Sequence, residues 1–371
     1  MNPFLFHTRE YSQIDPILTF VLTTFNQELL IERVIQSIVS NSSLPCELIV
    51  IDDKSEDETL SEILKIVGNK NWENGQVVKI SIYGNSSSRF ETFCDDFGIR
   101  SAKSDYVVLV QSDVILTEEK FDATLIACLR HFPDIFMVSA RGTEPIQPIA
   151  NFFQKSNGSV IGLGIFTLFM TKRYISKSMY GFISYMCVLS YFVELKISGL
   201  RKRRVSKSDT SNNNFEIPNL DVVRPLNVDF IQSGKAGYLS HYDTTRASGF
   251  GKFASVWLGQ TVMRGPIALD RSKYLEAGGF DLGSCFLGFD DHEIALRVYQ
   301  KFNYRVGFLP IGYKSSLEWG NTRRPRSLKQ SRIAIHNCLR ISNNRKLTSL
   351  YNNSFENNSP LPIPEIREFP L

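Results

Sequence analysis

Between residues 17 and 142, apolar runs of strand length alternate with stretches whose apolar positions recur every three or four residues. The run ILTFVLTTFN from Ile17 is β-branched and aromatic and ends on polar residues, so it predicts a strand. In QELLIERVIQSIVSN the positions Leu30, Val34, Ile35 and Ile38 share one helical face. CELIVIDD predicts a buried strand that ends on two aspartates, and SEDETLSEILKIV opens on the capping pair Ser55 and Glu58 before placing Leu60, Ile63, Leu64 and Val67 on one face. VVKISIYG gives a third strand, and SRFETFCDDFGIRSAKS leads from it to a fourth, DYVVLVQSDVIL. TEEKFDATLIACLRHF predicts a helix from a Thr117 cap with Phe121, Leu125 and Leu129 inward, and IFMVSARG a fifth strand. Strands and helices in alternation predict an α/β fold, a Rossmann-like, mainly parallel sheet flanked by helices.

The alternation stops after residue 142. Residues 143–225 hold two apolar stretches, SVIGLGIFTLFM and MYGFISYMCVLSYFVEL, then the basic run Lys196, Arg201, Lys202, Arg203, Arg204 and Lys207, then a polar Asn-rich linker. A membrane span needs about 20 predominantly apolar residues, and the stretch from Met179 to Leu195 is shorter and carries three tyrosines. Of three readings of this inserted helical segment, an interfacial attachment of residues 159–204 to an anionic membrane surface is favoured over a soluble helical subdomain, and a hairpin through the membrane comes last. Sheet-and-helix logic resumes over 226–346 with TVMRGPIALDRSKYLEAGGFD, a helix from about Asp290 and the strand YRVGFLPIG; residues 347–371, rich in Asn and Pro, predict an irregular tail.

A chain of 371 residues with 43% hydrophobic and 22% charged residues has enough apolar material for a substantial core and does not have the composition of a disordered chain. The net charge of +4 suits an anionic small substrate or an anionic membrane and gives no case for nucleic acid. Six cysteines lie far apart without C-x-x-C pairing, and the N-terminus lacks a basic region followed by a long apolar one, so a reduced, cytoplasmic location is expected, with a peripheral position on the inner face of the cell membrane under the first reading.

Polar side chains recur where predicted strands end, at Thr24, Asp52, Asp53 and Asp113, the edge at which open α/β sheets bind ligands. A second cluster opens a helix: in LGFDDHEIALRV, Asp290 and Glu293 have capping-box spacing, which leaves Asp291 and His292 unassigned on the first turn.

Taken in order, LTTFN, VIDDKSEDET, GIRSAKSDYVVLVQSD, GPIALDRSKYLEAGGFD and LGFDDHEIALR resemble the motifs of the family 2 nucleotide-sugar glycosyltransferases, over roughly residues 17–142 and 226–320. The resemblance implies a GT-A fold with a nucleotide-sugar-binding half in residues 1–142 and an acceptor-binding half in 226–346. It also implies inverting transfer from a nucleotide diphosphate sugar, a UDP-sugar favoured, to a hydroxyl of a glycan or lipid-linked acceptor, as in cell-surface polysaccharide synthesis. On this alignment Thr24, Asn26, Asp52 and Asp53 line the nucleotide site, and the family's metal-binding D-x-D element falls on Gln111, Ser112 and Asp113. Asp113 is then the ligand of a Mn²⁺ or Mg²⁺ ion, with Gln111 and Ser112 beside the donor. Asp291 takes the position of the general base, Asp290 orients the acceptor with Gly278 and Gly279 of the GGFD run, and Arg323 and Arg324 contact the diphosphate. The sequence departs from the family at Gln111, an amide where a carboxylate is usual, and at Asp95 and Asp96, which stand where the family carries Arg-Asn. Gln111 keeps a second reading open, a degenerate relative that binds nucleotide sugar or partners without turnover.

Overall fold

The computed structural model describes residues 3–69, 76–140, 143–144, 253–262, 264–283, 285, 290–309, 311–315, 362 and 365–371. The first part of the chain runs β1 (Phe4–Glu10), β2 (Leu18–Thr24), α1 (Ile31–Asn41), β3 (Cys46–Asp52), α2 (Thr59–Asn69), β4 (Val77–Gly84), α3 (Glu91–Ser101), β5 (Tyr106–Gln111), β6 (Val114–Leu116), α4 (Phe121–His131), β7 (Ile135–Ser139) and β8 (Thr143–Glu144). It continues through β9 (Phe253–Gly259), β10 (Thr261–Val262), β11 (Ile267–Asp270), α5 (Arg271–Glu276), α6 (Asp290–Phe302), β12 (Arg305–Phe308), β13 (Tyr313–Ser315) and β14 (Glu365–Pro370). Most of the expected 143–225 insertion, together with Arg323 and Arg324, lies outside the described residues. No helix among the described residues is long and apolar enough to cross a membrane.

Among these residues the main sheet has the order β1-β4-β3-β2-β5-β11-β7-β12-β9-β14. Its centre, β4-β3-β2-β5, is parallel. All seven residues of β2 and of β3 are buried, as expected of strands covered on both faces. Alternate side chains of β2 serve two cores: Leu18, Phe20 and Leu22 pack with α1, α2 and α4, while Val21 packs on the opposite face with residues of α3, α5 and α6. The second face carries the chemistry. A Cβ on Gly98 of α3 would lie 2.4 Å from Val21 Cγ1, so the bare glycine lets α3 sit directly on β2.

The two halves expected from the sequence interleave in one sheet. β11, from the second half, pairs antiparallel with both β5 and β7, and β12 pairs parallel with β7. Several local expectations need correction. Ser55 does not cap α2, which starts at Thr59; its hydroxyl is bonded to Asp52 instead. Ile66 rather than Leu64 completes the buried face of α2, because Leu64 is 38% exposed. The helix expected from a Thr117 cap begins four residues later, behind Lys120 in a left-handed conformation. The tail is not wholly irregular, since β14 pairs along its full length with β9 and buries Phe369. Arg367 fixes it to Asp134 at 2.8 Å. At the other edge β1 pairs antiparallel with β4, with a register shift between Leu5 and His7. Its unalternating Phe4-Leu5-Phe6 sequence gives no strand period to read.

Candidate nucleotide and acid-base site

Because β2, β3 and β5 are parallel and in register, their carboxyl ends bring Thr24 beside Asp52 and Thr23 beside Gln111. The hydroxyl of Thr24 and the side-chain carbonyl oxygen of Gln111 are buried and have no hydrogen-bond partner among the described residues. Each such group costs about 1–3 kcal/mol when left unmade, so two on neighbouring strand ends mark a place built for a polar partner.

The loops above these strands are held by their own polar residues. Asn26 adopts φ 52, its amide donates to Ser55 Oγ at 2.9 Å, and its Oδ1 accepts from the Glu56 amide at 2.7 Å. Asp52 Oδ2 accepts from the Ser55 amide at 3.0 Å, and burial, opposed by the Ser55 hydrogen bonds, raises its pKa. Asp53 is fully buried and accepts from Asn85 Nδ2, Ser88 Oγ and the amides of Arg89 and Phe90. Its carboxylate shapes the loop between β4 and α3, so a direct contact with a nucleotide would have to displace these donors.

Ser112 and Asp113 form the turn between β5 and β6, partly exposed next to Gln111. The described residues contain no group of three or more His, Cys, Asp or Glu that could hold a metal. The chemistry of the donor set nevertheless fits a hard divalent cation. Gln111 Oε1, without a partner among the described residues, and the Asp113 carboxylate are oxygen donors two residues apart, and Mg²⁺-type ions are commonly held by few protein oxygens plus phosphate.

On the acidic turn of α6, the two neighbouring aspartates meet different surroundings. Asp290, 1% exposed, receives Arg264, with Nε at 3.1 Å and Nη2 closer still. Burial raises its pKa despite Arg264, and Asp291 pushes it the same way. Asp291, 6% exposed, accepts from both the amide and Nδ1 of His292 at 2.9 Å. Burial acts to raise its pKa, but the His292 ring, its hydrogen bonds and Arg264 outweigh burial, so the net shift is downward. The capping-box expectation is replaced: Asp290 binds Arg264, and Glu293 pairs with Arg297 at 2.8 Å.

Arg264 sits on the turn between β10 and β11, and its importance is not visible in the sequence. Besides Asp290 it contacts Asp95 through Nη1, Glu91 at 3.0 Å and the Phe280 ring at 5.6 Å. Asp95 in turn accepts from Thr23 Oγ1 at 2.7 Å. Asp96, the other acid in the departing pair, accepts from Tyr274 Oη at 2.7 Å and Arg100 Nε at 2.8 Å. The signal available in the sequence was two acids replacing Arg-Asn on a buried helix, with an unassigned arginine in MRGP.

Gly278 and Gly279 have φ values of 85 and 81, the left-handed region open to glycine. Arg100 Nη2 donates to the Gly278 carbonyl at 2.9 Å and Arg297 Nη2 to the Gly279 carbonyl at 2.7 Å. These glycines form a turn that binds α5 to α3 and α6. The structure therefore gives them a scaffold role beside the acidic turn.

Residues 19–146 match a protein-family model described as Glycosyl transferase family 2. No curated protein matches the chain. Among solved structures, TarS from S. aureus is 12% identical with TM-score 0.40, over 81% of this chain and 36% of TarS. The chain thus spans about a third of that protein's length. The mannosyltransferase PcManGT from Pyrobaculum calidifontis, solved with GDP-Man and Mn²⁺, is 12% identical with TM-score 0.43, over 94% of this chain and 76% of that one. GalNAc-T7, solved with UDP, GalNAc and Mn²⁺, is 14% identical with TM-score 0.45, over 95% and 59%.

Proposed function

We propose that this chain, whose residues 19–146 match the Glycosyl transferase family 2 model, moves a sugar from a nucleotide diphosphate sugar to an acceptor hydroxyl with inversion. The observation that carries the reading is the contrast between Asp290 and Asp291, adjacent carboxyls whose surroundings drive their proton affinities apart. Asp291 stays ionised and takes the proton of the acceptor hydroxyl as its oxygen attacks the anomeric carbon. The bond from that carbon to the diphosphate breaks on the opposite face, and the nucleoside diphosphate leaves. Asp290, held by Arg264, fixes the turn on which the base stands and faces the acceptor.

Thr24, Asn26 and Asp52 are placed here at the base and ribose of the donor, with Gln111 and Ser112 beside its diphosphate and Asp53 shaping the loop around it. The unpartnered Thr24 hydroxyl and Gln111 carbonyl support this placement. Asp113 and Gln111 would hold a divalent cation, which supplies the positive charge that stabilises the leaving diphosphate. A glycan or lipid-linked acceptor, in cell-surface polysaccharide synthesis, is the proposed partner.

Thermal melting of the purified chain with UDP-glucose, UDP-N-acetylglucosamine and GDP-mannose, each with and without Mn²⁺, tests the reading. One donor should raise the melting temperature, more so with Mn²⁺, and its nucleoside diphosphate should be released faster when a glycan or lipid-linked acceptor is added. No shift with any donor contradicts the proposal. A shift without release under any acceptor would instead favour a binding protein without turnover, the reading that Gln111 in place of a carboxylate supports.

A further inference from the structure

The proposed base stands on the first turn of α6, and the donor site lies at the ends of β2, β3 and β5. In the chain α6 follows β11 and α5, and β11 reaches the sheet beside β5. The connection is made by side chains. Thr23 Oγ1 at the end of β2 donates to Asp95 Oδ1 on α3, Asp95 Oδ2 receives Arg264 Nη1, and Arg264 Nε and Nη2 both reach Asp290 Oδ2 on α6. Asp95 and Asp290 are buried and the Arg264 side chain is only 16% exposed. Thr23 stands in register with Gln111 and immediately precedes Thr24, so the series starts beside the proposed donor site and ends one residue from the proposed base.

We infer that Arg264 is a positioning residue for the transfer reaction: its guanidinium holds the Asp290-Asp291 turn in register with the strand ends that bind the donor. This rests on the function proposed above. A guanidinium offers five donors in a rigid plane, so it can grip Asp290 through two nitrogens while a third meets Asp95 and Glu91; a lysine ammonium in its place is a point charge on a flexible stem. The ring of Phe280 at 5.6 Å covers the guanidinium and narrows its freedom to tilt. The rest of α6 is fastened separately, through Arg297 to the carbonyls of Ala277 and Gly279. Loosening Arg264 should therefore free the first turn without releasing the helix. Small displacements of a reacting group are costly to rate, so the effect belongs to kcat and not to donor binding.

The positioning is local to the turn, which separates it from ordinary stabilisation. In Arg264→Lys the charge is kept and the plane is lost. With the donor that shifts the melting temperature of the unaltered chain, kcat should fall about 10-fold or more while the donor KM and the UDP or GDP dissociation constant stay within about 3-fold. Hydrogen exchange supplies a readout independent of turnover: amides 291–294 should exchange about 10-fold faster in Arg264→Lys, with the amides of β2, β3 and β5 unchanged. Thr23→Val, which removes only the far anchor of Asp95, should produce the same pattern more weakly and guards against a Lys variant that fails to fold. Unchanged exchange at 291–294 in the folded variants overturns the inference, as does a kcat equal to that of the unaltered chain. If the unaltered chain neither binds nor turns over any donor, the proposed function fails, whereas the exchange data still decide whether Arg264 holds the turn.

Discussion

Asp95 shows how far one residue can depart from its expected chemistry when its neighbours change. Burial lifts its carboxyl pKa to about 7, opposed by Arg264 and reinforced by Glu91, whereas an aspartate in an unfolded chain titrates near 3.9. The folded state thus holds the proton more tightly than the unfolded one, so this carboxyl's contribution to stability is fully present below about pH 4 and is lost as the pH rises through about 7. Asn at this position keeps one acceptor oxygen for Arg264 or Thr23, cannot accept from both through separate oxygens, and does not titrate. Asp95→Asn should therefore reduce the loss of stability between about pH 5 and pH 8 by roughly 1–3 kcal/mol, measured by urea denaturation at both values; an unchanged difference would show that Arg264 keeps the carboxyl ionised throughout. The sequence marks Asp95 and Asp96 only as anomalies. Their partners, Arg264 and Tyr274, lie roughly 170–180 residues away, and charge complementarity over that separation has no periodicity to read.

At the scale of the element, periodicity was a good guide where one face is buried and a poor one at ends and edges. Leu30 at the start of α1, Val34, Ile35 and Ile38 within it, and Phe121, Leu125 and Leu129 of α4 are buried as their spacing predicts. Helix starts are hard to read because Ser55 and Thr117 have capping side chains that do not cap, the Ser55 hydroxyl being bonded to Asp52. The GGFD turn was legible as a motif but not as a scaffold. Its two glycines differ in a way that can be measured. A Cβ on Gly279 would fall 2.3 Å from Arg100 Nη2 and 2.6 Å from Asp96 Oδ1, while a Cβ on Gly278 would meet nothing within 4 Å. Both substitutions incur the left-handed backbone cost, about 1–3 kcal/mol, and only Gly279→Ala adds a clash that disturbs the Arg100-Asp96 pair. Gly279→Ala should accordingly lower the urea midpoint more than Gly278→Ala, with m unchanged in both. Equal effects would mean that the α3-α5 contact yields easily.

For the molecule as a whole, the alternation of strands and helices foretold an α/β sheet and the carboxyl edge at which its polar residues gather. It did not foretell that the halves would share that sheet. Strand order depends on which edges meet in space, and the pairing of β11 between β5 and β7 and of β14 on β9 joins segments far apart in sequence. Within that interleaved sheet Arg264 links the acidic turn of α6 to α3 and, through Asp95, to β2, and the proposed transfer rests on that link. The most direct test compares the unaltered chain with Asp291→Asn, using the donor that raises the melting temperature. If Asp291 is the base, nucleoside diphosphate dissociation constants agree within about 3-fold while turnover falls about 100-fold or more. Turnover equal to that of the unaltered chain in a folded Asp291→Asn variant would contradict it.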